Sequence, residues 1–274
     1  MITRDGGLKV KEYIQNNKAA WEESFAMSKI GFGLNDAKIL QNEVFPFIYS
    51  DLLEVINQYD LKGKYIAQMC CNNGREIMSI VKGTGAKKGL GFDIAENIIE
   101  QARDNAKISE IPCEFVLTNI LDIDEKYYEQ FDAVFVLIGA ICWFEDLGEF
   151  FSKVGKCLKK GGLLFVHEIH PCTNMLAVPG EEIYDAENKT KIAWSYFKEE
   201  PFVDDWGMGY MVGEAYKSKP FTNFTYKMSD IINGIVDGGM KITMLKEFDY
   251  DIGGEFKELE GKGFPLSYIL TAKK

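Results

Sequence analysis

The segment Lys64–Gly83, KYIAQMCCNNGREIMSIVKG, carries the strongest structural signal in this chain. The apolar run at residues 65–71 predicts a buried strand, which stops at the Asn-Asn-Gly turn of residues 72–74. Residues 75–82 then have the apolar spacing of a helix. A strand, a tight turn and a helix place backbone N–H groups and a helix N-terminus beside any ligand at the strand's carboxyl end.

A second strand signal, GLGFD, follows at residues 89–93 and ends in Asp93. In open α/β sheets an acid at this place binds the two hydroxyls of a ribose. The two segments together predict a site for a nucleoside cofactor. The alternative for Asp93 is that it only caps the helix that follows.

Strand and helix signals continue to alternate along the chain. The predicted strands are 65–71, 88–93, 114–118, 132–138 and 163–169, and the predicted helices are 75–82, 96–107 and 147–159. Two final strands are predicted at 241–251 and 265–274. This alternation is typical of a doubly wound α/β fold with a mostly parallel, seven-stranded sheet and helices on both faces.

The regions outside this alternation have other patterns. Residues 10–29 and 37–59 each predict a helix, with a cap signal at Asn35 and Asp36. Residues 172–227 are rich in aromatic residues interrupted by Gly and Pro, which predicts short antiparallel strands and loops. A helix is predicted from Ser229, as N-cap, to the Gly-Gly pair at 238–239. The predicted domains are an N-terminal helical cover at 1–62, a cofactor-binding core at 63–171, a substrate-covering insertion at 172–227 and a completion of the core at 228–274.

Composition limits the kind of partner. The 274 residues carry a net charge of −11, which argues against a nucleic-acid backbone or an anionic membrane as the main partner. No stretch reaches the roughly 18 apolar residues of a membrane-spanning helix, and the first ten residues lack the apolar core of a signal peptide. The six cysteines have no metal-ligand spacing. We therefore predict a cytoplasmic protein without a metal site.

The pattern resembles a class I S-adenosylmethionine-dependent methyltransferase, in particular a bacterial subgroup that acts on small molecules. The segments that carry the resemblance are IAQMCCNNGRE (66–76), GLGFDIAENIIEQAR (89–103), FVLTNILDI (115–123) and FDAVFVLIGAICWFEDLGEFFSKVGKCLKKGGLLFVHEIHP (131–171). The resemblance implies a Rossmann-like methyltransferase fold, S-adenosylmethionine as cofactor and S-adenosylhomocysteine as product. It also implies a small-molecule acceptor, methylated on nitrogen or oxygen, and a monomer or homodimer.

The glycine-rich motif of that family is altered here. Where a typical member has D-x-G-x-G-x-G, this chain has Gln68, Cys70, Asn72 and Gly74. Asn is the best substitute for Gly in a left-handed conformation, so Asn72 can keep the turn. Gln68 cannot supply the usual acidic charge near the ammonium of the cofactor.

The resemblance implies cofactor contacts at the carboxyl ends of the first four strands. The implied cofactor residues are Met69, Cys70, Cys71, Asn72, Gly74, Asp93, Ile94, Asn119, Ile120, Ile138 and Trp143. Other interpretations remain for some of them. Cys71 can be a core thiol with only a backbone contact, Trp143 can be ordinary packing, and Asn119 can form a turn as well as contact adenine.

The catalytic and acceptor residues are predicted from the end of the fifth strand and from aromatic positions. The only two histidines of the chain flank Glu168, and His170 is the candidate general base with Glu168 as runner-up. The competing interpretation is that His170 ties the strand end to the cover. The predicted acceptor contacts are Trp21, Phe25, Trp143, His170 and Tyr196, which could instead form a satellite core.

Two other functions remain open from the sequence. A nicotinamide-dependent oxidoreductase would need a G-x-G-x-x-G turn, and the chain has CCNNGRE instead. A non-catalytic module that binds S-adenosylmethionine or S-adenosylhomocysteine would be compatible with the altered motif.

Overall fold

The structure, a computed structural model, describes residues 6–28, 30–179 and 181–274, with side chains described from residue 12 onward. The helices are α1 (Gly6–Ala26), α2 (Asp36–Asn42), α3 (Ser50–Ile56), α4 (Arg75–Thr84), α5 (Glu96–Ser109), α6 (Leu147–Cys157), α7 (Gly209–Val212) and α8 (Met228–Asp237). The strands are β1 (Tyr65–Met69), β2 (Lys88–Asp93), β3 (Cys113–Leu117), β4 (Phe131–Leu137), β5 (Leu158–Ile169), β6 (Phe202–Asp204), β7 (Phe221–Asn223), β8 (Lys241–Phe248) and β9 (Ser267–Lys273).

Seven strands form one sheet in the order β3-β2-β1-β4-β5-β9-β8. The strands β1 to β5 pair in parallel, and β9 pairs antiparallel with both β5 and β8. The predicted doubly wound, mostly parallel, seven-stranded sheet is confirmed. The order reverses beside β1, so the carboxyl ends of β1 and β4 border the crevice in which such sheets bind ligands.

Alternating side chains of the strands supply two cores, one on each face of the sheet. In β4, Val134 and Val136 pack with α6 and α8, whereas Phe135 points to the opposite core with α2, α3, α4 and α5. This alternation follows from the two-residue period of a strand. Buried on both faces, the central strands are continuous apolar runs, as the sequence indicated.

The predicted helix at 37–59 is wrong, because the chain forms two short helices, α2 and α3, with a loop between them. Within that loop Phe45 has φ of 57°, outside the helical region, and Pro46 follows it. Proline removes a backbone donor and disfavours the helical conformation of the preceding residue. The ring of Phe45 packs on Gly83, where a Cβ atom would lie 2.2 Å from the ring.

Smaller differences lie at the ends of elements. Strand β1 ends at Met69, two residues earlier than predicted, because Cys70 is already left-handed. Strand β5 begins at Leu158, which pairs with Phe131 before a bulge. Ser229 is not the N-cap of α8. The cap is Lys227, whose N–H donates to the Asp230 carboxylate at 3.0 Å.

Residues 171–227, between β5 and α8, include the two-stranded antiparallel sheet β6–β7. Helix α1 lies beside β7, where Asn17 donates to the Thr222 carbonyl and accepts from its N–H at 3.0 and 2.7 Å. Among the described residues, no helix combines the length and the apolarity needed to cross a membrane. The prediction about a signal peptide concerns residues that include 1–5, which lie outside the described ranges.

Candidate active site

The turn after β1 keeps the backbone of a glycine-rich loop. Cys70, Asn72 and Gly74 occupy the three motif positions, and all three have positive φ, of 53°, 48° and 75°. The left-handed conformation costs a non-glycine residue roughly 1–2 kcal/mol, so the surrounding structure holds Cys70 in it. Gly74 cannot be replaced, because a Cβ atom there would meet the Phe115 ring at 2.2 Å.

Asp93 closes this turn from the end of β2. Its Oδ2 accepts from the Asn72 N–H at 2.8 Å, and its Oδ1 accepts from the N–H groups of Ile94 and Ala95 at 2.8 and 3.1 Å. Burial raises the pKa of Asp93, and the three N–H groups lower it. A carboxylate offers about four acceptor positions, so the one that remains can take a ligand hydroxyl.

The N-terminal segment is bound to the same turn through a residue that the sequence did not single out. The Asn73 side chain is 1% exposed and donates to Asp36 at 2.8 Å and to Gln101 at 3.1 Å. Gln101 in turn donates to the Phe32 carbonyl at 2.9 Å. These contacts fix the start of α2 beside the motif.

Glu168, predicted as a catalytic candidate, holds the loop that follows β4. Its carboxylate accepts from the N–H groups of Gly139, Ala140 and Ile141 at 2.7, 2.6 and 3.2 Å, and from its neighbour Ile169 at 3.3 Å. Burial raises the pKa of Glu168, and these N–H groups lower it. Since all its bonds are to backbone donors, the geometry supports a positioning role.

His170, the predicted general base, does not reach the cavity described below. Its Nδ1 accepts from the Cys172 N–H at 3.1 Å, so in the neutral ring the proton is on Nε2, which donates to Glu247 at 2.8 Å. The side chain is 4% exposed. With both nitrogens engaged, His170 has a structural role, but it ties the end of β5 to β8 and not to the cover, as the alternative above expected.

One cavity of about 1600 Å³ lies at the carboxyl ends of the parallel strands. Of the eleven predicted cofactor residues, all except Met69, Cys71 and Gly74 line it. Met69 and Cys71 are completely buried, each in one of the two cores of the sheet. Burial also raises the pKa of the Cys71 thiol well above its usual value, which fits a core cysteine.

The predicted acceptor residues divide into two groups. Trp21 and Trp143 line the cavity, and their rings meet edge to face with 5.5 Å between centroids. Phe25 packs in a small cluster beside α5, and Tyr196 uses its hydroxyl to accept from the Met228 N–H at 2.8 Å. Neither Phe25 nor Tyr196 lines the cavity.

Two polar residues of the turn region add to the cavity wall. Gln68 is 2% exposed, and its Oε1 has no hydrogen-bond partner among the described residues. Arg75 lies between the rings of Phe32 and Phe47, at 5.4 and 5.3 Å from their centroids, and pairs with Glu76 at 2.8 Å. The sequence signal for Arg75 was its place directly after Gly74, which we did not use.

The comparisons with known proteins agree with this geometry. Residues 66–162 match the family described as "Methyltransferase domain". No curated protein matches the sequence. The domain match and the fold support a class I S-adenosylmethionine-dependent methyltransferase, an enzyme class whose cofactor is S-adenosylmethionine.

Solved structures share the fold at low sequence identity. A Listeria monocytogenes protein proposed to be an S-adenosylmethionine-dependent methyltransferase is 20% identical, with a TM-score of 0.61 over 82% of this chain and 96% of that one. An S-adenosylmethionine-dependent methyltransferase of Mesorhizobium loti is 20% identical, with a TM-score of 0.58 over the same shares, 82% and 96%. Geranyl diphosphate C-methyltransferase of Streptomyces coelicolor, in complex with S-adenosylhomocysteine, is 12% identical, with a TM-score of 0.57 over 95% and 97%.

Proposed function

We propose that this protein transfers the methyl group of S-adenosylmethionine to a small molecule bound in the same cavity. The observation that carries this proposal is the continuity of the cavity from Asn72 and Asp93 to Trp21 and Trp143. Pockets for one small ligand measure about 300–1,000 Å³, and this cavity of about 1600 Å³ is larger. It therefore has room for a cofactor and an acceptor side by side.

The residues at the β1 and β2 ends fit the cofactor. The free acceptor position of Asp93 suits a ribose hydroxyl. The unpartnered Oε1 of Gln68 suits a donor such as the ammonium of the methionine part, in place of the family's acid. Arg75 is the one basic side chain among the described residues of the cavity wall, and it suits the carboxylate of the same ligand.

Asn119 fits the adenine end of the site only in part. Its Oδ1 accepts from the Leu121 N–H at 3.2 Å, so the residue forms the turn after β3. A carbonyl oxygen has two lone pairs, and the second can accept from an amino group. Ile94 and Ile120 line the wall on either side and supply apolar surface for a ring.

The bound cofactor supplies an activated methyl group on a sulfonium sulfur. The protein then has to orient the acceptor and exclude water from the reacting atoms. Trp21 and Trp143 form an aromatic wall with Phe221, whose centroid is 5.7 Å from each of theirs. We propose that helix α1 and residues 172–227 serve as the cover of the acceptor, and we keep the four predicted domain boundaries as part of this proposal.

No general base is assigned. Both ring nitrogens of His170 are engaged, and the Glu168 oxygens accept from backbone donors. We therefore propose that the acceptor loses its proton to solvent after the methyl transfer, and that catalysis rests on alignment.

Calorimetric titration tests the cofactor half of the proposal. We expect heat of binding with S-adenosylhomocysteine and none with NADH. Transfer of a labelled methyl group to members of a panel of amines, phenols and alcohols tests the other half. Heat with NADH alone would refute the proposal.

The alternative is a module that binds the cofactor without turnover. The observation that favours it is the loss of two motif glycines and of the acid, at Cys70, Asn72 and Gln68. Firm binding of S-adenosylhomocysteine without labelled product across the panel would support this alternative. A cytoplasmic location and the lack of a nucleic-acid partner stay predictions from composition, and a monomer or homodimer stays a prediction from the resemblance.

A further inference from the structure

The wall of the cavity is strongly acidic. Among the described residues it contains eight acidic side chains and one basic side chain, Arg75. Arg75 is already paired with Glu76, and the Asp93 and Glu168 carboxylates are held by backbone N–H groups. The other acids come from parts of the chain far from the cofactor motif.

Four of these acids form a group that we call the acidic wall: Glu181, Asp204, Asp251 and Glu255. Their hydrogen bonds, where present, are to neutral groups. Glu181 accepts from the Val178 N–H at 2.9 Å, Asp204 from the Asn223 amide at 3.1 Å, and Asp251 from the N–H groups of Gly253 and Phe256 at 2.8 and 2.7 Å. No cationic side chain of the described residues forms an ion pair with any of the four.

Glu255 is close enough to the other three carboxyl groups for their charges to affect it. Burial raises the pKa of Glu255, and the charges of Asp251, Asp204 and Glu181 raise it further. Burial also raises the pKa of Asp204, with smaller contributions in the same direction from Asp205 and then Glu181. Like charges placed together without a counter-ion are unfavourable, and a bound cation relieves this repulsion.

Aromatic side chains stand beside the acidic wall. All three residues of strand β6, Phe202, Val203 and Asp204, line the cavity, and Val203 is 64% exposed. The two-residue period of a strand directs the Phe202 ring and the Asp204 carboxylate to the same side. The Trp194 ring meets Phe202 edge to face at 5.3 Å, and Trp194 also lines the cavity. Rings next to carboxylates are the surroundings that bind ammonium groups.

A buried acceptor at the cofactor end of the cavity suits a ligand that carries N–H groups. The Gln68 Oε1 atom, on a side chain 2% exposed at the wall of this cavity, has no partner among the described residues. Leaving a buried acceptor unsatisfied costs about 1–3 kcal/mol. In the liganded protein the cofactor ammonium proposed above satisfies this atom, so the acceptor contacts the acidic wall and not Gln68.

We propose that the acceptor is a small aliphatic amine that carries an ammonium group, which the acidic wall and its aromatic neighbours bind. The inference rests on the proposed methyl transfer and names its substrate class. The methylated atom is a second, uncharged amine nitrogen of the same molecule. Its lone pair forms the new N–C bond, the electrons of the C–S bond stay on sulfur to give a neutral thioether, and the N–H proton leaves to water.

Matched small molecules test the charge preference. The protein saturated with S-adenosylhomocysteine is titrated with diaminobutane, butanediol and succinate, which have the same chain length and differ in charge. We expect diaminobutane to bind and the other two to give no heat at the same concentration. Because salt screens charges at the surface of a wide cavity, about 0.5 M NaCl should lower the affinity for diaminobutane several-fold.

Two pairs of variants locate the binding site. Asp204→Asn and Glu255→Gln each remove a charge of the acidic wall. We expect each substitution to lower the affinity for diaminobutane about tenfold. The controls are Asp205→Asn and Glu258→Gln, whose carboxylates pair with Lys217 and Lys189 and do not line the cavity. We expect the two controls to keep an affinity for diaminobutane within about twofold of wild type. We also expect all four variants to bind S-adenosylhomocysteine within about twofold of the wild-type affinity.

The results separate the two proposals. If wild-type protein does not bind S-adenosylhomocysteine, the proposed function fails. If it binds the product and also binds butanediol or succinate as tightly as diaminobutane, only the amine acceptor is refuted. Binding of the product and of none of the three small molecules has the same meaning. Equal loss of diamine affinity in the wall variants and in their controls would also refute it.

Discussion

The Asp93 Oδ2 atom accepts a hydrogen bond from the Asn72 N–H at 2.8 Å, and this contact joins the ends of the first two strands. It links the residue expected to bind the ribose to the residue that replaces a motif glycine. Asn72 in turn uses its Oδ1 to accept from the Asn73 N–H at 2.7 Å. The left-handed turn is therefore supported from both sides, which explains how the motif keeps its backbone without two of its glycines.

The first prediction concerns Asp93. Asp93→Ala removes a charged acceptor from the site, and we expect S-adenosylhomocysteine to bind about 1.5–3 kcal/mol more weakly, as for the loss of charge-assisted hydrogen bonds. Calorimetric titration measures the change. Asp104→Ala on the exposed side of α5 is the control and should bind normally. An Asp93→Ala protein that folds and keeps wild-type affinity would remove Asp93 from the cofactor site.

The second prediction concerns the conformation of Asn72. Asn72→Ala places alanine, which disfavours the left-handed conformation, at φ of 48°. It also loses the hydrogen bond that the Asn72 side chain accepts from the Asn73 N–H. We expect the free energy of unfolding in urea to fall by about 1–2 kcal/mol. Asn72→Gly is the matched comparison, because it loses the same bond but tolerates positive φ. Equal losses in both variants would mean that the left-handed backbone carries no cost.

The sequence was sufficient for the sheet, because its strands are continuous apolar runs separated by helical periods. It also placed Asp93 at the end of a strand and Asn72 in a left-handed turn, because both positions follow from local spacing after a strand. It failed at residues 43–49, where Pro46 interrupts an apolar period that otherwise continues. Pro46 is a sequence signal for the end of a helix, but our prediction followed the apolar periodicity on both sides of it.

Contacts between distant segments could not be predicted. Nothing in the residues around His170 indicates that Glu247, 77 positions away, would engage its Nε2 atom. The acidic wall likewise combines Glu181, Asp204 and Asp251 from two separate regions. Neither region has a motif, since the acids meet only when β6 and the loop after β8 fold over the sheet.

The third prediction concerns Glu168. Glu168→Gln replaces one carboxylate oxygen by an amide that donates, and this amide would face the N–H of Gly139 or Ala140. A buried donor left opposite another donor costs about 1–3 kcal/mol, so we expect lower stability in urea and weaker S-adenosylhomocysteine binding. Glu247→Gln is the control, because Glu247 is half exposed and lies outside the cavity.

The outcome also distinguishes positioning from catalysis. A positioning role predicts that product affinity and turnover decline together, because the loop at 139–143 lines the site. Normal stability and normal product affinity with a complete loss of turnover would show instead that Glu168 acts on the acceptor. The same loss in Glu247→Gln would point to His170, its partner.

The fourth prediction is a pH dependence of stability that originates at His167. This ring is completely buried, neither nitrogen has a partner among the described residues, and burial lowers its pKa from 6.5 to about 4. The unfolded chain binds a proton below pH 6.5, whereas the folded protein binds it only near pH 4. Folding stability is therefore fully present above the unfolded pKa and is lost as the pH falls through this window.

His167→Phe isolates that contribution, because it keeps a ring against Tyr49, whose centroid is 5.4 Å from the imidazole. One pKa unit corresponds to about 1.4 kcal/mol, so a shift from 6.5 to about 4 predicts a loss of roughly 3 kcal/mol in wild type that the variant lacks. Urea unfolding at several pH values between 7 and about 4 measures the difference between the two proteins, in which the titration of carboxylates and of His170 cancels. Parallel curves for wild type and variant would show that His167 is protonated in the folded protein as readily as in the unfolded chain. The buried face of β5 would then have to admit water or a counter-ion to this ring.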